Sequence, residues 1–343
     1  MEKVLITGAS GFIGSHVVEY FLEKGVSVGC LIRKSSNTEN IKELNVELEY
    51  GDTLDYNGLV EIFSKYNRVI HIAGLATDWE KWKKFYEVNV TGTMNVLKAC
   101  KEVNINDIII TASISVYGEE NGYVVKNEDS PLNSHYNYFL DKVFPSGMNY
   151  YRDSKAVAKR EAIKYSQENG LNLTIIEPAW VYGEREFNTG FYEYIKTVKE
   201  GIPYLPGSKR NKFHVVYVKD LARAYYLVYK KSLKGINAII IGNEKVETMD
   251  NIYSLFCKKL ELKKPKKLPK LIVYPIGLML ELIYTIFKIR QSPILTRARV
   301  NMLYDSIEYS TKKAEKLLDF TAEYTLEDGI SRTVEWYKKQ KLL

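Results

Sequence analysis

The chain has 343 residues, 45% of them hydrophobic and 27% charged, with a formal net charge of +7. That composition excludes a disordered or low-complexity chain, and its length leaves room for one large α/β domain or a nucleotide-binding core with a smaller appended region. A modest positive balance selects no partner and gives no ground for expecting nucleic acid.

Cys30, Cys100 and Cys257 lack metal-ligand spacing. Cys30 and Cys100 lie in apolar segments, so the cysteines read as reduced residues of a cytosolic protein. His16, His71, His135 and His214 form no helical metal pair, and no metal is expected. The first strand begins at the second or third residue, so no signal peptide is expected ahead of it.

In chain order, Val4, Leu5 and Ile6 form an apolar run that breaks at Gly8, Gly11 and Gly14 and continues as an apolar-periodic segment through Leu22. This predicts a strand, a tight turn and a helix. Glycine lets a ligand approach the main chain closely, and the free N–H groups of a new helix attract a pyrophosphate. The turn over Gly8, Ser10, Gly11, Phe12, Ile13 and Gly14 is therefore a candidate cradle for a nicotinamide cofactor, the alternative being a packing turn that binds nothing. Its spacing is Gly-x-x-Gly-x-x-Gly, not the usual Gly-x-Gly-x-x-Gly.

A second strand over 26–32 ends in Arg33 and Lys34, where such folds read the adenosine ribose. Two cations and no acid there point to NADP, with NAD the alternative. A third strand over 46–50 runs into Gly51-Asp52-Thr53, with Asp52 a candidate partner for the adenine amine and Thr53 beside it. A fourth over 68–72 leads to Ala73 and Gly74, a second close approach to the cofactor. A helix is expected over 85–103 with Asn89 early in it, and a very apolar strand over 105–113. A polar stretch without periodicity, 119–148, comes next, followed by a helix over 149–169 and a sixth strand over 171–176. This alternation argues an α/β fold with a doubly wound parallel sheet whose ligand sits at the strands' carboxyl ends.

Beyond residue 177 the pattern loosens, with a helix expected over 191–200, a strand over 212–218, a helix over 220–230 and a strand over 238–241. The expected division is 1–177, a cofactor-binding domain, and 178–343, a mainly substrate-binding region interleaved with it. Seven lysines cluster in 258–270 against one acid, Glu261. Residues 271–287 are apolar apart from Glu281 and are interrupted by Pro275. Three readings of 271–287 stand open: a pocket lid or core helix, a helix lying on a membrane surface with the lysines of 258–270 facing anionic headgroups, or a span, for which seventeen residues are short.

Tyr151 and Lys155 stand one helical turn apart and share a face. A tyrosine pKa near ~10 is too high for easy proton exchange at neutral pH, and a nearby ammonium lowers it. The same spacing recurs at Tyr20/Lys24, Tyr138/Lys142 and Tyr192/Lys196, so position must decide. Only Tyr151 opens a long helix just upstream of the sixth strand. Ser113, at the end of the fifth strand, is a candidate to hold a substrate oxygen beside Tyr151, or a serine that merely satisfies a turn.

Taken together, TGASGFIGS, Gly51-Asp52-x-x-Asp55, His71-Ile72-Ala73-Gly74, Asn89-Val90-Thr91-Gly92-Thr93, Ser113 before Tyr117-Gly118, Tyr151-x-x-x-Lys155 and Glu177-Pro178-x-x-Val181-Tyr182-Gly183 resemble the extended short-chain dehydrogenases/reductases in order and spacing. The resemblance implies a Rossmann-type sheet, bound NAD(P), Pro178 at the cofactor, a catalytic Ser113, Tyr151 and Lys155, and a homodimer. Nucleotide-sugar epimerases of that family carry an Asn and an Arg where this chain has Trp180 and Phe213. The exchange shifts the expected pocket toward an apolar substrate. The Arg33-Lys34 pair, Pro206-Gly207 and the stretch from Pro293 to Ala314 are similar to the branch of 3β-hydroxysteroid dehydrogenases and dihydroflavonol reductases. Glu177 departs from the Arg common at its place. Arg185 and Arg299 keep a phosphate-bearing substrate open.

The expectation is a cytoplasmic or membrane-associated NADP-dependent oxidoreductase acting on a ketone of a largely hydrophobic small molecule. Trp79, Trp82, Ser115, Trp180, Phe187 and Phe213 are candidate pocket residues. The alternatives are a nucleotide-sugar epimerase or dehydratase with retained NAD, and a sensor that binds the cofactor without turnover.

Overall fold

The computed structural model describes residues 2–118, 124–186 and 190–343. Its first strand, β1 (Lys3–Thr7), is buried on both faces, as a continuous apolar run dictates for a central parallel strand. Val4 and Ile6 enter one core with Phe21, and Leu5 enters the other with Leu59 and Val96. Each such side chain fully buried is worth ~1.5–3 kcal/mol.

The chain continues through α1 (Phe12–Glu23), β2 (Ser27–Ile32), β3 (Glu47–Tyr50), α2 (Tyr56–Phe63) and β4 (Arg68–His71). Next come α3 (Trp82–Phe85), a π-helical turn over Tyr86–Thr91, α4 (Gly92–Glu102) and β5 (Asp107–Thr111). A 3₁₀ turn over Ile114–Tyr117, α5 (Gly147–Asn169) and β6 (Asn172–Pro178) complete this half. Beyond it lie β7 (Trp180–Tyr182), α6 (Gly190–Lys199), β8 (Tyr204–Pro206), β9 (Lys212–Phe213), β10 (Val215–Tyr217) and α7 (Val218–Lys231). β11 (Ile236–Ile241) then returns to the main sheet beside β6, and α7 packs against α1. The remainder is β12 (Glu247–Thr248), α8 (Met249–Lys259), β13 (Lys266–Leu268), α9 (Lys270–Ile286), α10 (Arg297–Tyr304), α11 (Lys312–Leu318) and α12 (Leu326–Lys339).

The main sheet has seven strands in the order β3-β2-β1-β4-β5-β6-β11, every neighbouring pair parallel. This is the Rossmann-type order extended by one strand, and it reverses between β1 and β4.

Four sequence expectations are corrected here. Residues 212–218 are not one strand, because His214 separates β9, which pairs antiparallel with β12, from β10, which pairs parallel with β7. The helix expected over 85–103 carries the π turn inside it, and the strand expected over 105–113 stops at Thr111. Pro275 does not interrupt 271–287, since α9 runs through it and carries the proline on its exposed side. Of the irregular stretch 119–148, residues 119–123 lie outside the described ones.

Candidate active site

At the reversal point the carboxyl ends of β1 and β4 touch. Gly8 sits at φ +70°, and a Cβ on it would stand 2.7 Å from the Ala73 nitrogen, so no larger residue fits. A Cβ on Gly14 would run into the Gly8 carbonyl, which fixes how closely α1 approaches the turn. Gly11 caps α1 without a side chain and leaves the first-turn N–H groups to a ligand. Ser10, Phe12 and Ile13 are half-buried around this opening, and Asn40 Nδ2 donates to the Ser10 carbonyl at 3.3 Å, tying the loop after β2 to the same turn. Arg33 and Lys34 are exposed on that loop and form no ion pair among the described residues.

After β3, Asp52 Oδ1 accepts from the Leu54 N–H at 3.0 Å, and the Thr53 carbonyl accepts from Asn95 Nδ2 at 3.0 Å. Pro178 closes β6, so the sequence-named cofactor residues lie just past the carboxyl ends of β1, β2, β3 and β4, in the first turn of α1, at the end of β6 or on the N-terminal half of α5. The glycine cradle, the open helix end and the free cations fit a dinucleotide.

Lys155 is buried, and its Nζ donates to the Thr111 carbonyl at 3.1 Å, anchored to the end of β5. Burial pushes its pKa down to about 8. A Cβ on Gly74 would stand 3.2 Å from that Nζ and 3.3 Å from Asn89 Oδ1, so the loop after β4 lies directly on the lysine. Tyr151, one turn before Lys155, packs its ring on buried Phe85. Ser113 follows Thr111 by two residues in extended backbone; its Oγ accepts from the Ser115 N–H at 3.2 Å and from Ser115 Oγ at 2.9 Å. Both contacts leave the Ser113 hydroxyl proton available to an incoming oxygen.

Beneath this set runs a buried hydrogen-bond chain that sequence reasoning did not find. The Ala73 N–H donates to Thr7 Oγ1 at 3.2 Å, and Thr7 Oγ1 lies 2.8 Å from His71 Nδ1. His71 Nε2 lies 3.1 Å from Thr93 Oγ1, which donates to the Asn89 carbonyl at 2.7 Å. With that proton committed, Thr93 accepts from Nε2–H, and in the neutral imidazole Nδ1 then accepts the Thr7 hydroxyl proton. Burial, helped by the Lys155 charge, holds its pKa down at about 3. Asn89, on the π turn, donates from Nδ2 to the Leu75 carbonyl at 3.1 Å and to Ser154 Oγ at 2.9 Å. A π turn inside an α-helix is a frequent mark of a functional site, and its register shift is invisible to a search for 3.6-residue periodicity.

The substrate-side expectations divide. Ser115 is buried with its hydroxyl given to Ser113, so it supports Ser113 from behind and does not line a pocket. Phe213 is also buried, its ring against Trp180 and Phe191, which makes it core; Trp180 is half-exposed at the edge of that cluster. Trp79 donates Nε1–H to the Ile289 carbonyl at 3.2 Å and meets Tyr284 edge-on, while Trp82 is exposed beside Tyr86 and Tyr150. Phe187 lies outside the described residues. Neither arginine left open for a phosphate is free. Arg185 is paired with Glu19, and Arg299 grips Asp78 with Nε and Nη2 at 2.6 and 2.8 Å. Glu177 is buried with Lys159 at 2.8 Å, and Tyr117 hydrogen-bonds both, so its charge is balanced inside the fold.

The model of the NAD dependent epimerase/dehydratase family matches residues 4–242. The chain belongs to that family. It is 23% identical to the 2-alkyl-3-oxoalkanoate reductase of Shewanella oneidensis over 97% of this chain and 85% of that one. It is 24% identical to the decarboxylating sterol-4-alpha-carboxylate 3-dehydrogenase of Mus musculus over 97% of this chain and 90% of the relative. Among solved structures it is similar to a UDP-glucose 4-epimerase of Thermotoga maritima, with 22% identity, 99% of each chain covered and a TM-score of 0.77. As a member of the NAD dependent epimerase/dehydratase family, and of its extended short-chain dehydrogenase/reductase type, the protein is an NAD(P)-dependent enzyme.

Proposed function

We propose that the protein reversibly reduces a ketone on a largely hydrophobic small molecule, with NADPH as the preferred, exchangeable reductant. A dinucleotide held by the Gly8-Gly11-Gly14 turn and the loop after β4 would supply the hydride for the carbonyl carbon, and would accept it in the reverse direction. Tyr151 gives its phenolic proton to the carbonyl oxygen, acting as general acid, and recovers a proton from solvent. Lys155, held on the Thr111 carbonyl, brings a positive charge to that helix face and eases loss of the tyrosine proton. Ser113 donates its remaining proton to the same carbonyl oxygen.

The observation that carries this reading is the internal pairing of Arg185 with Glu19 and of Arg299 with Asp78. A nucleotide-sugar substrate needs cations for its diphosphate, and both candidates are already matched by acids. The names of the Shewanella and mouse relatives, an oxoalkanoate reductase and a sterol dehydrogenase, support an apolar substrate in the same way.

Arg33 and Lys34, exposed and without an ion pair among the described residues, support NADPH, since a 2′-phosphate is the anion they would meet. The test is mass spectrometry of the purified protein for retained cofactor, followed by titration with NADPH and NADH. Exchangeable NADPH, bound at least tenfold more weakly after Arg33→Ala while NADH is little affected, is the expected result. Tightly retained NAD would turn the reading toward an epimerase.

A further inference from the structure

We propose that α9 and the loop before α5 form one face that lies on an anionic lipid bilayer. The inference starts from the polarity of α9, which is reversed relative to an ordinary surface helix. Its inward line is Val273, Gly277 and Glu281, one turn apart from each other. Gly277 lets the helix press onto the main chain of Thr296, which a Cβ would meet at 3.1 Å. Glu281 is fully buried in an ion pair with Arg297. The outward side carries Leu271, Ile272, Met279, Ile286 and Phe287, with Leu271 86% and Phe287 73% exposed. The one carboxylate of the helix faces in, and its largest apolar groups face water.

Arg297 ties a second apolar element to the first. Its Nη1 and Nη2 donate to the carbonyls of Phe139 and Phe144 at 2.6 and 2.8 Å, and the Phe139 N–H donates to the Tyr274 hydroxyl at 3.3 Å. These bonds hold Phe139 and Val143 outward, 63% and 85% exposed, on a loop fastened to α9 and its partner helix. An apolar surface of this extent marks an interaction site.

Charge selects the occupant. Lys142, Lys288 and Arg290 are exposed at the ends of this face and form no ion pair among the described residues. Between residues 262 and 304 the sequence has one acid, the buried Glu281. A twofold contact with a second copy would bring the cations at the ends of this face against one another, with no exposed acid of α9 to match them. An anionic headgroup layer neutralises them while the apolar side chains enter the acyl boundary, which is how an interfacial helix binds. No helix of the described residues is long and apolar enough to cross a membrane, so the contact is one of lying on the surface. Glu281 points away from it, and substitutions there probe folding rather than lipid.

The full chain is tested by cosedimentation with vesicles of phosphatidylcholine mixed with phosphatidylglycerol, against pure phosphatidylcholine vesicles. Binding to the anionic vesicles is expected, with Lys142→Gln, Lys288→Gln and Arg290→Gln each lowering partitioning about fivefold. The pair Leu271→Ser and Phe287→Ser is expected to lower it at least tenfold while leaving circular dichroism unchanged, and Phe287→Trp should shift its emission to the blue on adding vesicles. No binding, equal binding to both vesicle types, or a concentration-dependent dimer in sedimentation that Phe287→Ser abolishes would overturn the proposal.

Discussion

Asn89 joins α5 to the loop after β4: its Nδ2 reaches Ser154 Oγ at 2.9 Å while its Oδ1 accepts from the Leu75 N–H at 2.8 Å. Ser154 passes the constraint on by donating to the Tyr151 carbonyl at 2.7 Å. Asn89→Ala leaves two backbone groups of Leu75 unpaired, so a loss of ~1–3 kcal/mol in unfolding free energy is expected. Because the loop and Tyr151 lose their common anchor, kcat should fall more than tenfold with a smaller change in KM. A variant that loses stability alone, with kcat intact, would confine Asn89 to folding.

Lys159 and Glu177 form a buried pair whose value lies in balance. Glu177→Gln strands the Lys159 charge and should cost ~3–5 kcal/mol by urea denaturation. Glu177→Leu combined with Lys159→Met removes both charges and should recover most of that loss, though the Tyr117 hydroxyl then loses these two partners and keeps the Glu128 carbonyl at 3.4 Å. A double variant no better than Glu177→Gln would contradict this account.

These two clusters mark what the sequence could and could not disclose. The Gly8-Gly11-Gly14 turn, the apolar run at 108–110 and the Tyr151/Lys155 spacing are local, so elementary geometry placed them correctly along the chain. Arg299 and Asp78 are 221 residues apart, and nothing local says that the arginine's charge is already matched. The same holds for Glu281, which reads as a flaw in an apolar segment until Arg297, sixteen residues on, covers it. His214 shows a third limit. Its carbonyl accepts from the Trp180 N–H and its own N–H donates to Ile307, so it changes partners in the middle of an apparent strand. Phe213 looks like a pocket residue by position, but Trp180 and Phe191, more than twenty residues back, bury it as core, while the Ser115 hydroxyl is taken by Ser113 two residues away.

His135 lies between two carboxylates, Nδ1 2.8 Å from Asp153 and Nε2 2.9 Å from Asp141. Both bonds require a proton on each nitrogen, so this geometry is that of the imidazolium. Burial opposes the charge, and Asp153 followed by Asp141 overrides it, raising the pKa above its ordinary value. A group raised in the folded state contributes its full stability below an unfolded pKa of about 6.5 and loses it as pH rises through the folded value. The Tm difference between the native protein and His135→Gln should therefore be largest near about pH 6 and shrink by about pH 8.5. A difference independent of pH would show that the pair is not titrating.

The most direct test of the central claim is turnover by Tyr151→Phe beside the native protein, with NADPH and a hydrophobic ketone such as a 2-alkyl-3-oxoalkanoate. NADPH binding is followed separately by fluorescence. The account predicts that the native protein consumes NADPH in step with the ketone and that Tyr151→Phe slows this by at least about a hundredfold, with NADPH bound as before. Near-full turnover by Tyr151→Phe with the cofactor in place would contradict it.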